Sequence, residues 1–241
     1  MAVSGQGVFG VSMGSDAASL GLDRKALAKA LTDGDAREEQ QWQAYGHTQL
    51  RTSNPDEECR QKALCKVMLL FWRKGTDSTR YTDIVDATGW SLKSLYRNWS
   101  DKQALIGDAL ALYRAQEIGR ILSELDKGGQ SGLFGFWREQ ELEARKPNWR
   151  GCLLFRTAMS QGGNQNTALL LDDYLDELQA RIGKAVIEGQ RAGEIDKTID
   201  AETAGWQCVS ALALISAVGF QSGYCLRVSS LFAAARKSCG L

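Results

Sequence analysis

The chain has 241 residues, 44% of them apolar and 24% charged, and its 29 lysine and arginine residues balance 29 aspartate and glutamate residues. This composition excludes a disordered or fibrous protein, and the length suffices for one large domain or two modest ones. We find no apolar run approaching the roughly 20 residues of a membrane span, no secretory signal and no Cys-x-x-Cys pair among the six cysteines, so we expect a cytoplasmic protein with reduced thiols.

Residues 1–50 are predicted to form an N-terminal extension, either flexible or weakly helical. The first 22 residues are rich in glycine, serine and alanine, as a flexible leader is. A weak helical pattern follows over residues 23–44, with Leu27 and Leu31 on one face.

An amphipathic helix is predicted from residue 56 onward. Leu64, Val67, Met68 and Phe71 fall at positions i, i+3, i+4 and i+7, which places them on one helical face. The residues that open this stretch are acidic, as the positive end of a helix dipole favours. Gly75 is expected to end the helix.

Two short helices are predicted next, over residues 81–88 and 91–99. Gly89 lies in the tight turn between them, and Ser91 is the expected cap of the second helix. Two short helices joined by such a turn are the pattern of a helix-turn-helix, which binds DNA. Residues 51–103 hold 10 basic and 7 acidic side chains, a net positive charge compatible with a phosphate-contacting surface.

The remaining chain, residues 103–241, is predicted to be helical throughout. A long connector helix begins at Ser100 or Asp101 and ends at Gly128 and Gly129. Five further helices are predicted, over residues 133–145, 151–160, 167–192, 201–219 and 224–237. We therefore predict an all-α fold of about nine helices, with an N-terminal three-helix helix-turn-helix head, residues 51–102, and a helical-bundle effector and dimerisation domain, residues 103–241.

A set of spaced residues in this head matches a family pattern. They are Gly75, Thr79, Asp83, Ile84, Gly89, Ser91, Leu95, Tyr96, Trp99 and Lys102. At these positions the chain resembles the DNA-binding head of the TetR family of transcription repressors. Residues 150–159 and 189–196 are similar to stretches of that family's effector domain. Arg80, Trp90, Leu92 and Lys93 depart from the usual family residues, so the resemblance does not imply an operator sequence.

The second short helix is predicted to enter the major groove of DNA. Lys93 and Arg97 are side chains able to pair with guanine edges, and the resemblance implies that Tyr96 and Lys102 contact phosphate. The predicted DNA-binding residues are Arg80, Thr82, Ser91, Leu92, Lys93, Ser94, Tyr96, Arg97 and Lys102.

The body is predicted to carry a dimer surface and an effector pocket. The two C-terminal helices are small or apolar on most faces, and the resemblance also implies that they pair across a two-fold axis in a homodimer. Aromatic and polarisable side chains cluster in the middle of the body, which favours a hydrophobic or aromatic ligand. The predicted effector-binding residues are Trp137, Cys152, Phe155, Met159, Tyr174 and Trp206, with Arg156 and Gln207 as polar candidates.

These features predict a repressor that a small-molecule effector releases from DNA. Its partners are a double-stranded, near-palindromic operator and a second copy of the chain, with no cofactor, metal or membrane. An alternative of the same fold is a redox-sensing regulator in which Cys59, Cys65 or Cys152 is the sensor. An enzyme is disfavoured because the chain has no Gly-x-Ser-x-Gly elbow and no P-loop, and His47 is its only histidine.

Overall fold

The computed structural model describes residues 55–146, 149–160 and 165–241; the predicted extension, with its weak helix and His47, lies outside these residues. Within them the protein has nine helices and no strand, which confirms the predicted all-α class. The helices are α1 (Pro55–Lys74), α2 (Tyr81–Thr88), α3 (Leu92–Asn98), the connector α4 (Lys102–Tyr113, Arg114–Ile118, Gly119–Leu122 and Ser123–Lys127), α5 (Gly129–Ala144), α6 (Leu153–Met159), α7 (Gln165–Ala192), α8 (Ala201–Ser222) and α9 (Leu226–Ser238).

Local signals set the ends of the first two helices. Helix α1 has acidic residues in its first turn and Arg73 and Lys74 in its last, as the helix dipole favours. Gly75 follows with φ of 86° and donates its N–H to Phe71 O at 2.8 Å. At the start of α2, Asp83 accepts a hydrogen bond from the backbone N–H of Arg80 at 2.7 Å.

The connector α4 differs from the uninterrupted helix that was predicted. Asp101 is its cap, accepting from Ala104 N at 2.8 Å. After Tyr113 the chain makes a π-helical turn, Arg114–Ile118, and it ends in a 3-10 turn, Ser123–Lys127. A π turn inserts extra backbone into the helix and changes which side chains face the core, a feature often found at functional sites.

Helix α5 begins four residues earlier than predicted. Gly129 has φ of 54°, and a side chain from just beyond the end of α7 accepts a hydrogen bond in the first turn of the helix. Glu194 Oε2 accepts the backbone N–H of Gln130 at 3.0 Å, which supplies an acceptor to an otherwise unpaired helix start.

Helix α9 is attached to α5 through one carboxylate. Glu141 accepts hydrogen bonds from Tyr224 and Arg145, and from Arg236 Nη1 at 2.6 Å. Burial opposes ionisation, but these hydrogen bonds prevail and lower the pKa of Glu141 to about 2. The group is therefore ionised in the folded protein at neutral pH.

Helix α8 bears on the expectation that the chain has no membrane span. The stretch Ala201–Gln221 has the length and hydropathy of a membrane span, contrary to the expectation that no run approaches that length. It packs against α7 and α9, and 44% of it is buried. Core helices of soluble proteins meet the same criterion, so length and composition alone do not make α8 a membrane span.

Candidate functional site

Helices α2 and α3 are held at a fixed angle by a small core. Ile84 of α2 and Leu95 of α3 are fully buried, and Trp99 closes the end of α3. Gly89 turns the chain between the helices with φ of 74° and donates its N–H to Val85 O at 2.8 Å. This rigid pair is the predicted helix-turn-helix.

The indole of Trp99 ties this pair to the connector. Its Nε1 donates to Asp108 Oδ2 at 2.9 Å, and the Arg60 guanidinium lies 5.1 Å from the ring centroid while also pairing with Asp108. Trp99 was expected in the core, but its contacts with Asp108, nine residues further on, and with Arg60 of α1 were not anticipated.

Helix α3 presents one polar face to solvent. Ser91 caps it, its Oγ accepting from Ser94 N at 3.2 Å. All nine predicted DNA-binding residues are exposed except Ser94 and Lys102, which are half-buried. Four exposed side chains lie on adjacent turns of this face: Leu92, Lys93, Tyr96 and Arg97. The face therefore carries two cations and one phenol beside a leucine.

Tyr96 is supported by α2. Its ring centroid lies 5.2 Å from that of Tyr81, and 51% of Tyr96 is exposed. Burial, a hydrogen bond with Tyr96 and the nearby Asp101 charge raise the pKa of Tyr81 to about 12. The Tyr81 hydroxyl therefore stays protonated at neutral pH and helps to position the exposed phenol.

A cavity of about 50 Å³ lies between the head and the body. It is lined by Met68, Leu69, Trp72, Tyr113, Glu117, Ile118, Ile121, Gln140, Glu143, Trp149, Gly151, Cys152, Phe155, Tyr174, Leu212, Ile215 and Ser216. Because α1 supplies three of these side chains, a molecule in the cavity touches the head directly.

The cavity contains half of the predicted effector-binding residues. Cys152, Phe155 and Tyr174 line it. Trp137 is fully buried elsewhere, against Phe136 and Phe232. Two others lie outside the cavity and are exposed to solvent, Met159 by 60% and Trp206 by 42%.

The cavity is also lined by a carboxyl group, that of Glu117, which is not among the predicted effector-binding residues. Glu117 lies in the π turn, and burial, followed by the nearby Glu143 charge, raises its pKa to about 7. Its ion pair with Arg120 is long, at 3.9 Å, and Arg120 is shared with Glu139 at 3.1 Å and with Glu143 at 3.3 Å. The spacing of Glu117 four residues before Ile121, on the buried face of the connector, was the available signal.

Two hydrogen bonds beside the cavity join the head to the body. Trp72 Nε1 donates to Gly151 O at 2.8 Å, and Arg156 Nη1 donates to Trp72 O at 2.6 Å. Arg156 also lies 3.9 Å from the Phe220 ring centroid, and burial, together with the Arg150 charge, lowers its pKa to about 10. Arg156 thus bridges two parts of the protein and does not line the cavity, and Gln207 is exposed on α8.

The three cysteines proposed as redox sensors differ in environment. Cys59 is exposed, whereas burial raises the pKa of Cys65 and of Cys152. Raised pKa values reduce the thiolate fraction, so neither buried thiol is activated for oxidation at neutral pH.

No family model matches the chain. A curated protein matches a short part of it. The HTH-type transcriptional repressor ComR of Escherichia coli (strain K12) is 39% identical over 54 residues. That match covers 22% of this chain and about a quarter (26%) of the length of ComR. A likeness of this extent concerns one segment and not the whole protein.

Solved structures match most of the chain. The TetR family regulator CifR, a cysteine mutant complexed with 26bp double-strand operator DNA, has a TM-score of 0.61 at 20% identity, covering 79% of this chain and 98% of CifR. A TetR family regulator from Cytophaga hutchinsonii has a TM-score of 0.68 at 14% identity, covering 78% of this chain and 96% of the regulator. A putative transcriptional regulator from Saccharomonospora viridis in complex with choline has a TM-score of 0.63 at 18% identity, covering 75% of this chain and 95% of that regulator.

The chain has the TetR-type fold. The resemblance inferred from the spaced residues of the head is therefore confirmed at the level of fold, and the neighbours described above are transcriptional regulators. In this TetR-type fold, α3 is the exposed helix of the head and the cavity lies where α1 meets the body.

Proposed function

We propose that the protein is a homodimeric transcription repressor that binds a near-palindromic operator and leaves it when a small molecule enters the cavity. Residues 51–102 form the DNA-binding head and residues 103–241 the effector and dimerisation domain. The observation that carries this proposal is the exposed polar face of α3 on a rigid two-helix core. It agrees with the operator DNA bound by CifR and with the repressor activity named for ComR.

The residues of the head divide into two roles. Lys93 and Arg97 reach the base edges in the major groove, where basic side chains pair with guanine. Tyr96 and Lys102 contact phosphates, as do Arg80 and Thr82 at the start of α2. The first pair determines sequence preference and the second group supplies affinity that does not depend on sequence.

Release depends on the wall that the cavity shares with α1. Leu69 and Trp72 contribute to this wall, and Trp72 is hydrogen-bonded to the body on two sides. A ligand larger than the cavity displaces this wall and so reorients the head. The effector acts by binding the displaced arrangement more tightly than the DNA-binding one.

The cavity favours a small, largely apolar effector with a positively charged or hydrogen-bond-donating group. Aromatic side chains such as Tyr113, Phe155 and Tyr174 provide its apolar surface. Glu117 supplies a weakly paired carboxyl group, which an organic cation stabilises in its charged form. The choline held by the Saccharomonospora viridis regulator is a molecule of this class.

The homodimer forms through α8 and α9. Large apolar side chains on these helices remain in contact with solvent in the single chain: Trp206, Leu214, Phe220 and Leu226. Covering this surface by a second copy places two heads on one face of the particle, so that two half-sites are read together. We place this activity in the cytoplasm, where the operator DNA lies.

Titration of fluorescent duplexes tests the proposal. The probes are the DNA that flanks the protein's own gene and a scrambled duplex, each at several salt concentrations. We expect Tyr96→Phe and Lys102→Ala to weaken binding to both duplexes about tenfold, and Lys102→Ala also to reduce the salt dependence. We expect Lys93→Ala to reduce discrimination between the duplexes.

Lys184→Ala is the matched control, because this lysine is exposed on α7, away from α3. It should leave both affinities unchanged. Equal losses on both duplexes for Lys93→Ala contradict the division of roles, and a wild-type protein that binds no duplex at low salt contradicts the proposed function.

A further inference from the structure

Two buried cysteines meet where α9 ends against α8. Cys208 lies within α8 and Cys239 follows the last residue of α9, and both are fully buried. Their Sγ atoms lie 2.8 Å apart, although 31 positions separate the residues in sequence. A disulfide bond needs about 2.05 Å between the same atoms, so a shift of less than one ångström brings them to bonding distance.

The surroundings assign different roles to the two sulfurs. Pairing with the Cys208 thiol outweighs burial and lowers the pKa of Cys239. The same pairing and burial raise the pKa of Cys208. The indole Nε1 of Trp137 is buried near Cys239 and has no hydrogen-bond partner among the described residues, so it is available as a donor if the Cys239 sulfur shifts.

We propose that Cys208 and Cys239 form a reversible disulfide when the protein meets a hydroperoxide. The Cys239 thiol gives up its proton and the thiolate attacks one oxygen of the peroxide. The O–O bond breaks, Cys239 becomes a sulfenic acid, and the departing oxygen takes up that proton and leaves as water, or as an alcohol from an organic hydroperoxide. The Cys208 sulfur then attacks the Cys239 sulfur, the S–O bond breaks, and the hydroxyl leaves with the Cys208 proton as water. Two thiols are oxidised to one disulfide and one peroxide is reduced.

The position of Cys239 provides access for the oxidant. It lies beyond the last turn of α9, and its N–H donates to Arg236 O at 3.0 Å in a short-range bond of the 3-10 type. Helix ends open locally far more often than the whole fold does, and opening of this turn exposes Cys239. Cys208 lies within α8 and is the resolving thiol, which attacks the oxidised Cys239 sulfur.

The disulfide joins the two helices of the proposed dimer surface. Its formation does not depend on DNA binding or on the effector, so it stands even where the proposed function fails. The bond restricts the unfolded chain by closing a loop of about 30 residues, which is expected to raise Tm by about 5–10 °C.

Peptide mapping of the full-length protein tests this pairing. The protein is treated with hydrogen peroxide, remaining thiols are alkylated, and trypsin digestion without reductant is followed by mass spectrometry. We expect residues 238–241 to be linked to residues 198–227, with a loss of two hydrogens, and the link to disappear on reduction. Since residues 198–227 also contain Cys225, the variants must decide the partner.

Cys208→Ser should abolish the link, while Cys225→Ser should retain it together with the rise in Tm. A link that survives in Cys208→Ser but not in Cys225→Ser overturns the proposal. So does complete alkylation of Cys208 and Cys239 in peroxide-treated wild-type protein, a result that needs no variant to fold.

Discussion

Glu117 combines poor ion pairing with burial. Its carboxyl group lines the cavity, and Arg120, with which it pairs, is shared with Glu139 and Glu143. Removing a carboxylate from water costs free energy that a long, shared ion pair does not recover. The folded protein therefore holds this proton more tightly than the unfolded chain does, with a pKa of about 7 against 4.5.

Glu117→Gln should stabilise the protein in a pH-dependent way. Because the pKa is raised by folding, wild-type stability is fully present below pH 4.5, falls as pH rises to about 7, and stays low above it. We expect the variant to exceed wild type by about 1–3 kcal/mol at pH 8 and by nothing at pH 4, measured by denaturant unfolding. A difference of equal size at both pH values would contradict the explanation.

At the scale of helices, two glycines lie in different surroundings: one where two helices pack closely, and one in open space where a glycine only costs conformational entropy. Gly205 lies where α8 crosses α7, and a Cβ atom there would sit 2.8 Å from the backbone oxygen of Gln179. Gly107 lies inside α4, and a Cβ atom there meets nothing within 4 Å. The close approach of α7 and α8 thus depends on the missing side chain at residue 205.

Alanine at these two glycines should have opposite effects. Gly205→Ala must push one backbone away from another, so we expect a loss of about 1–3 kcal/mol in the free energy of unfolding. Gly107→Ala should gain about 0.5–1 kcal/mol, because alanine loses less conformational entropy in a helix. Urea titration of both variants measures the difference, and stabilisation by Gly205→Ala would show that the helices can separate without cost.

At the scale of the whole molecule, the outer surface of α8 and α9 leaves large apolar side chains in contact with water. Leu214 is 50% exposed and Leu226 is 85% exposed, and both lie on the helices proposed to pair. Burying such side chains against a second copy removes apolar surface from water, which is the main driving force for obligate dimers.

Leu214→Arg should convert the proposed dimer into a monomer. Sedimentation velocity is expected to report about twice the 26.4 kDa chain mass for wild type and 26.4 kDa for the variant. Operator affinity should fall by about tenfold or more, since each half-site is then bound alone. Leu169→Arg on α7 is the control, since it changes an equally exposed leucine outside the proposed surface, and a monomeric wild type would contradict the dimer.

Patterns within a few residues were enough to predict the class of the fold, the bounds of α2 and the cap of α3. Helical periodicity, Gly75, Gly89 and Ser91 act over one or two turns, so their effect is readable along the chain. The exposed set on α3 follows from the same spacing.

Only the packed structure decided which side chains share a cavity and which sulfurs meet. Periodicity shows that a side chain faces inward but not which other helix it meets, so Trp137 and Tyr174 looked alike in sequence although one alone lines the cavity. The π turn that carries Glu117 and the contact of Cys208 with Cys239 depend on how distant helices pack. These contacts join parts of the chain far apart in sequence, and their free energy depends on the arrangement of the whole core.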